Sequence, residues 1–510
     1  MNRAGRIFRQ GVVMLALLLV AASCGGTDSV EGAVEGDVEG AVDTKEDAAE
    51  TAVDTATDAA PTDDASSTDE DPAPTDDGSN TEDDTGATDD ASSTEEDAAA
   101  GDSDSECPAT TASWRGVTED TISIGVSMID FEYLKDNGFS PFGWGDQQLA
   151  WQNAIDDINE RGGIYCRQLE GVFAFYSPVG TTDAEAKCLE LTADSEVFIV
   201  MFGFVGPAEP ANTCIVGQQE TALLGGRITA ERLDQAKAPW IQLNATGDRK
   251  IETLVGLLED AGEIDGKTLA IISAPQTADA HQLAIDEFTA AGANVAVELV
   301  TDSPVADTVA EDAEWGVLNE VLQGAGVDTV FFNATVAAGL RNMTAAGYTP
   351  AVWTSDDDGL NNLGASVSPE MADGILTVAE LTDDERWLEP GIVACTESLA
   401  ARHPDVATSL VAPTDREGEE EAWFNAVISS CSRMSMLEQL LLEAGPDLTY
   451  DSLNTAIESI GDFAVPGSPF NSLGGGKLDA SDTFRLGRFN AALGDSGEIE
   501  GIGPAIDATP

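Results

Sequence analysis

Basic residues are scarce in this chain: 23 Lys and Arg stand against 94 Asp and Glu, a formal net charge of −71 at pH 7. Such a chain repels phosphate backbones and anionic lipid surfaces, which argues against nucleic acid as a partner. Histidine is scarcer still. Only His281 and His403 occur, far apart, and neither a Gly-x-Ser-x-Gly elbow nor a His-Glu-x-x-His helix accompanies them, so a hydrolase triad or a zinc site lacks its parts. There is also no Cys-x-x-Cys pair. The stretch from Gly262 to Thr268 has the flavour of a phosphate loop, but it has three residues between its glycines where that loop needs four, and two of them are carboxylates. No catalytic residue, metal or cofactor is expected.

Long apolar runs are missing except near the N-terminus. There Arg3, Arg6 and Arg9 precede an apolar run from Val12 to Ala22 and the small-residue sequence Ala21-Ala22-Ser23-Cys24. This pattern reads as an export signal over residues 1–24, with Cys24 as the acylated first residue of a lipoprotein; ordinary cleavage to a free secreted product is the alternative. Residues 25–106 hold 29 acidic residues against one Lys and no aromatic residue. Such a composition buries too little apolar area to offset its ordering entropy, so a disordered acidic tether is expected, with a span of roughly 50 Å. Residues 107–510 still carry 65 acidic against 19 basic residues, and their length suits two lobes.

Six cysteines remain beyond Cys24, an even number in an exported chain, and structural disulfides are the expectation. Of the fifteen possible pairings, we expect Cys107 with Cys166, Cys188 with Cys214 and Cys395 with Cys431; unpaired buried thiols are the other reading. Along the folded part strand and helix patterns alternate. Thr121 to Val126, Val172 to Tyr176 and Val197 to Phe202 read as strands, and Asp146 as the cap of a helix whose Trp151, Ala154, Ile155 and Ile158 share a face. The rhythm restarts with strands at Thr268 to Ser273, Asn294 to Val300, Thr329 to Asn333 and near Val352, between helices His281 to Ala291, Trp315 to Gln323 and Val336 to Ala346. A long helix is expected from Glu419 to about Glu443 and a closing β region near Phe484 to Phe489. The fold class is α/β, with two doubly wound parallel-sheet lobes.

Trp144-Gly145-Asp146-Gln147, followed by Ala154-Ile155-Asp156-Asp157-Ile158-Asn159-Glu160-Arg161-Gly162-Gly163-Ile164, closely resembles the branched-chain amino acid binding proteins of ABC transporters. Supporting stretches are Thr229 to Leu233, Val327 to Phe332, Gly339 to Gly347 and Ser355 to Gly359, and the resemblance spans residues 118 to about 500. It implies a type I periplasmic-binding fold whose chain crosses three times between lobes, with lobe one at 118–245 plus 377–490 and lobe two at 246–376 plus 491–510. Ligand binding in the cleft between lobes is the whole chemistry of that family. Carried over by position, Trp144 packs on the ligand, Thr229 helps hold a carboxylate and Asp358 pairs with an ammonium; Phe332 and Phe204 are further candidates.

Each of these residues has a plainer reading. Trp144, Phe204, Phe332 and Trp353 suit a core, Thr229 a helix cap, Asp358 a solvated acidic turn and His281 a surface helix start. Two stretches depart from the family pattern: Gly203-Phe204-Val205-Gly206-Pro207 replaces a serine run, and Asp279-Ala280-His281-Gln282 replaces a Tyr-Gly-x-Gly turn. The solute class therefore stays open between amino acids, small amides, urea-like compounds and aromatic acids. The resemblance implies a monomeric, lipid-anchored solute-binding protein on the outer face of a bacterial cytoplasmic membrane, serving an ABC permease. A ligand-sensing receptor subunit and a surface adhesion lipoprotein are the rivals.

Overall fold

Strand β1, Thr121–Ile129, is buried along almost its whole length, as a central strand covered on both faces must be. The computed structural model that contains it describes residues 107–510 except 304–307, 334–335, 362, 364–366, 494–496 and 510, and the side chains of Gln276 and Asp358. The expected signal segment, Cys24 and acidic tether lie outside the described residues.

The first sheet joins β1 to β2 (Gln168–Tyr176), β3 (Ile199–Phe202), β4 (Ala222–Gly225) and β5 (Trp240–Ile241) in the order β2-β1-β3-β4-β5, all parallel. Side chains alternate between two apolar layers. Ile199 and Met201 pack with Ile124, Trp151, Ile155 and Leu437 on one face, whereas Val200 packs with Tyr176, Leu223 and Phe204 on the other. The helix Gln147–Glu160 starts where expected, because the Asp146 carboxylate accepts the Leu149 N–H at 3.0 Å.

The second sheet repeats this topology. β6 (Thr268–Ser273), β7 (Asn294–Val300), β8 (Thr329–Asn333), β9 (Ala351–Thr354) and β10 (Leu376–Ala379) run parallel in the order β7-β6-β8-β9-β10. A hairpin, β11 (Gly461–Val465) and β12 (Ser468–Leu473), stands apart. β13 (Thr483–Asn490) and β14 (Glu498–Asp507) extend the second sheet antiparallel beyond β10. The sequence reading grouped 377–490 with lobe one. β10 and β13 are instead hydrogen-bonded into the second sheet, a pairing between distant segments that local patterning does not reveal.

The chain passes between the sheets three times: after β5, after β10, and from the β11–β12 hairpin to β13. The first and third crossings pair with each other, since Ala480 N–H donates to Gln242 O at 2.9 Å and Ser481 N–H to Leu243 O at 2.8 Å. Between the second and third crossings lies the helix Trp423–Ala444, which packs on the helix Gln147–Glu160. It starts later than the sequence suggested. Glu421 and Ala422 are taken out of helix to hydrogen-bond Gly143, the carboxylate accepting the Gly143 N–H at 2.6 Å and Ala422 N–H donating to Gly143 O at 2.8 Å. The helix Thr308–Gly324 begins before Trp315, because its first turns are largely exposed and carry no apolar period. Disulfides join Cys107 to Cys166, Cys188 to Cys214 and Cys395 to Cys431, with Cα separations of 5.9, 6.3 and 6.4 Å.

Candidate functional site

In a doubly wound sheet of order 2-1-3-4-5, the loops leaving strands 1 and 3 diverge to opposite faces and open a crevice at the strand C-termini. In the first sheet that switch point lies beyond Ile129 and Phe202. Phe202 has a φ of +74°, in the left-handed region that disfavours any residue with a Cβ and costs about 1–2 kcal/mol. Its carbonyl accepts the Gly226 N–H at 2.8 Å, and a Cβ on the neighbouring Gly225 would come within 2.3 Å of that oxygen. This backbone turns the Phe202 ring toward Trp144, edge to face with centroids 6.0 Å apart. Trp144 is half-buried and also packs against Phe131 at 5.2 Å.

The loop carrying Trp144 is clamped from the far side of the chain. Glu421 accepts the Gly143 N–H at 2.6 Å and the Lys135 ammonium at 2.7 Å, and Gly145 N–H approaches at 3.4 Å. Burial works against the Glu421 charge, but the hydrogen bonds from Lys135, Gly145 and Gly143 together outweigh it and hold its carboxyl below the usual glutamate range. Gly145 is required as glycine: its φ is +71°, and a Cβ would lie 2.2 Å from the Trp423 ring.

The backbone amides at this edge are already engaged. Phe204 N–H donates to Asn212 Oδ1 at 2.8 Å, Val205 N–H to the Tyr176 hydroxyl at 2.9 Å, and Ile228 N–H to Gln242 Oε1 at 2.9 Å. Thr229 is the N-cap of the short helix Ala230–Leu233, its hydroxyl accepting the Arg232 N–H at 3.3 Å. Phe204 is fully buried against Tyr176, and Phe332 is equally buried, beside Trp315 in the core of the second sheet. Trp353 stacks on Phe288 at 5.7 Å, also in core. Asp358 falls in the short helix Asp357–Asn361, and its side chain lies outside the described residues. His281 meets the Ser273 hydroxyl at 2.7 Å at the end of β6, and burial pushes its pKa down. Of the four proposed ligand contacts whose side chains are described, Trp144, Thr229, Phe204 and Phe332, Trp144 is the one in ring contact with Phe202.

A cavity of about 130 Å³ lies where the three crossings come together. Its walls are Leu243 and Asn244 just after β5, Glu380, Asp383 and Arg386 just after β10, Gly467 and Ser468 of the β11–β12 hairpin, Ser481 of the third crossing, and Ser429, Ser432 and Arg433 of the helix Trp423–Ala444. Arg386 is paired with Glu380. Asp383 is open to the cavity yet ringed by protein, and loss of solvation raises its pKa despite Arg386 beside it. Arg433 is the residue that sequence reasoning missed. Its guanidinium lies 5.1 Å from the Phe202 ring centroid, which connects the cavity to the aromatic cluster at the switch point. Burial, with the charge of Arg386 adding to it, pushes its pKa down to about 10, so it remains a cation at neutral pH.

A shallower hollow of about 300 Å³ is lined by Trp114, Arg115 and Gln218 to Glu220. It sits by the N-terminal end of β4, the wrong edge of a parallel sheet for a ligand site. Among the described residues no group of three or more His, Cys, Asp or Glu is arranged to hold a metal. No described helix is long and apolar enough to cross a membrane.

No family model and no curated protein matches this sequence. Among solved structures, similar ones include a solute-binding protein of an ABC transporter from R. palustris in complex with 4-hydroxybenzoate, at 14% identity and a TM-score of 0.50, covering 77% of this chain and 98% of that one. Another comes from Rhodopseudomonas palustris HaA2, in complex with p-hydroxybenzoic acid, at 15% identity with the same TM-score and coverage. The fold is that of the type I periplasmic-binding proteins. In this fold three chain crossings form the hinge between two doubly wound sheets.

Proposed function

We propose that this chain captures a small amphipathic or zwitterionic solute outside the cell and delivers it to an ATP-driven membrane permease, the protein being tethered through a lipid on Cys24. The observation that carries the reading is the cavity walled by the residues that follow β5 and β10, the corresponding strands of the two sheets. A pocket at that place changes shape whenever the hinge segments move, which couples occupancy to closure. Its volume suits a small guest: an apolar cavity of about 150 Å³ accommodates benzene. On this reading binding is the whole chemistry and no covalent step follows.

The test is a thermal-shift and native mass spectrometry screen of the full chain against amino acids, small amides, ureas and aromatic acids. Solute capture gives a one-to-one adduct and a melting temperature that climbs with solute concentration. An absence of binders across the panel favours an adhesive or structural role. A receptor in place of a permease in a pull-down of the liganded protein would assign it to sensing.

A further inference from the structure

The chain has carboxylates to spare, yet Arg433 is left without one. Among the described residues it makes no ion pair, and none of its nitrogens has a hydrogen-bond partner; its Nε is shut off from solvent and unsatisfied. Glu380, a carboxylate whose charge acts on it, is already paired with Arg386. A half-buried cation with a sealed, unsatisfied Nε and no counter-ion weakens the protein that holds it, and its place at a cavity wall suits an anionic partner that arrives from outside. Its surroundings specify that partner further. The Phe202 ring lies against the guanidinium, Trp144 meets Phe202 edge to face, and the amides of Phe204 and Val205 that otherwise offer an anion site at the end of β3 are occupied by Asn212 and Tyr176.

We propose that Arg433 receives the carboxylate of a small organic acid whose apolar or aromatic body lies against Phe202 and Trp144. This rests on the solute-capture reading above and narrows it: the recognised feature is a carboxylate, and an α-ammonium group is dispensable. Arginine suits the task, because its planar fork offers paired donors to the two oxygens of a carboxylate and remains charged after desolvation.

The test compares acids with their primary amides on the unmodified full chain by titration calorimetry: 4-hydroxybenzoate with 4-hydroxybenzamide, 4-methylpentanoate with its amide, and leucine with leucinamide. The acid of the preferred pair is expected to bind roughly 10- to 100-fold more tightly than its amide, the range for a hydrogen bond to a charged group. Arg433→Met is expected to weaken that acid by a similar factor, to leave the amide nearly unchanged, and to raise the melting temperature of the solute-free protein by removing an unpaired cation. Arg433→Lys is expected to recover only part of the affinity. Equal binding of acid and amide by the native protein overturns the assignment while leaving solute capture intact, as does an Arg433→Met variant with unchanged acid affinity. Failure of every acid, amide and amino acid to bind would remove the capture reading as well.

Discussion

Replacing Asp482 with Asn isolates the charge network that fastens the third crossing to the helix Gly247–Asp260, just after the first. Asp482 is fully buried and accepts hydrogen bonds from Arg249 Nη2 at 2.6 Å, Lys477 Nζ at 2.8 Å and the Ser472 hydroxyl at 2.6 Å. Asn preserves shape and removes the charge. Arg249 then faces Asp479, which is 3.8 Å from its Nε and already accepts the Thr246 N–H and hydroxyl at 2.6 Å each, while Lys477 is left with the neutral carbonyls of Ser472 and Ala480. Breaking a buried pair by neutralising one partner costs about 3–5 kcal/mol, because the remaining charges stay desolvated. With an m value of about 3 kcal/mol/M, the urea midpoint is expected to fall by roughly 1 M or more. Adding Lys477→Met removes one stranded cation, so the double variant is expected to be more stable than Asp482→Asn by at least about 1 kcal/mol. A midpoint for Asp482→Asn within about 0.3 M of wild type, or purely additive effects in the double variant, refutes this account of the hinge.

Gly145→Ala forces a side chain into a φ of +71° and a 2.2 Å contact with Trp423; a loss of about 2 kcal/mol or more in chemical denaturation is expected, together with weaker solute binding. Glu421 has a folded pKa below its unfolded value, so its contribution is present above the unfolded pKa and is lost as pH falls through the folded one. Glu421→Gln is therefore expected to destabilise at neutral pH, with the difference from wild type shrinking below the ordinary glutamate pKa. Asp383 has the opposite sign: its raised pKa makes ionisation unfavourable to the fold, so Asp383→Asn is expected to raise the melting temperature at pH 7 and to lose that advantage as pH falls toward 3.8. Replacing Cys188 and Cys214 together by Ala opens a loop with a sequence separation of 26 and is expected to cost about 3–4 kcal/mol, read from the urea midpoint.

Much of the architecture was readable because its signals are local. Ile122, Ile124, Val126 and Met128 line one face of β1 at the period of a strand, and Asp146 stands one residue before an apolar helical face, so neither needed tertiary context. Other features depend on partners far along the chain. β10 and β13 read as ordinary strands, and nothing in their own residues says which sheet they join. Phe332 fits an aromatic position of the resembled family, but β8 is buried throughout and its ring faces Trp315. Thr229 caps its own helix, its hydroxyl accepting the Arg232 N–H. Arg433 was missed because an arginine among the serines of an amphipathic helix reads as a solvated residue. The arrival of the crossings over that helix is what makes it a cavity wall and seals its Nε. The departure at Gly203 to Pro207, which offers no side-chain hydroxyl, put the carboxylate half of an amino-acid site in doubt.

The most direct measurement is a crystal structure of the full chain grown with the solute that most raises its melting temperature. The account expects that solute at the meeting point of the three crossings, its body against Phe202 and Trp144 and enclosed by residues from both sheets. Density for the solute in the hollow beside Trp114 and Glu220, or on an open face, with the hinge cavity still empty, would contradict it.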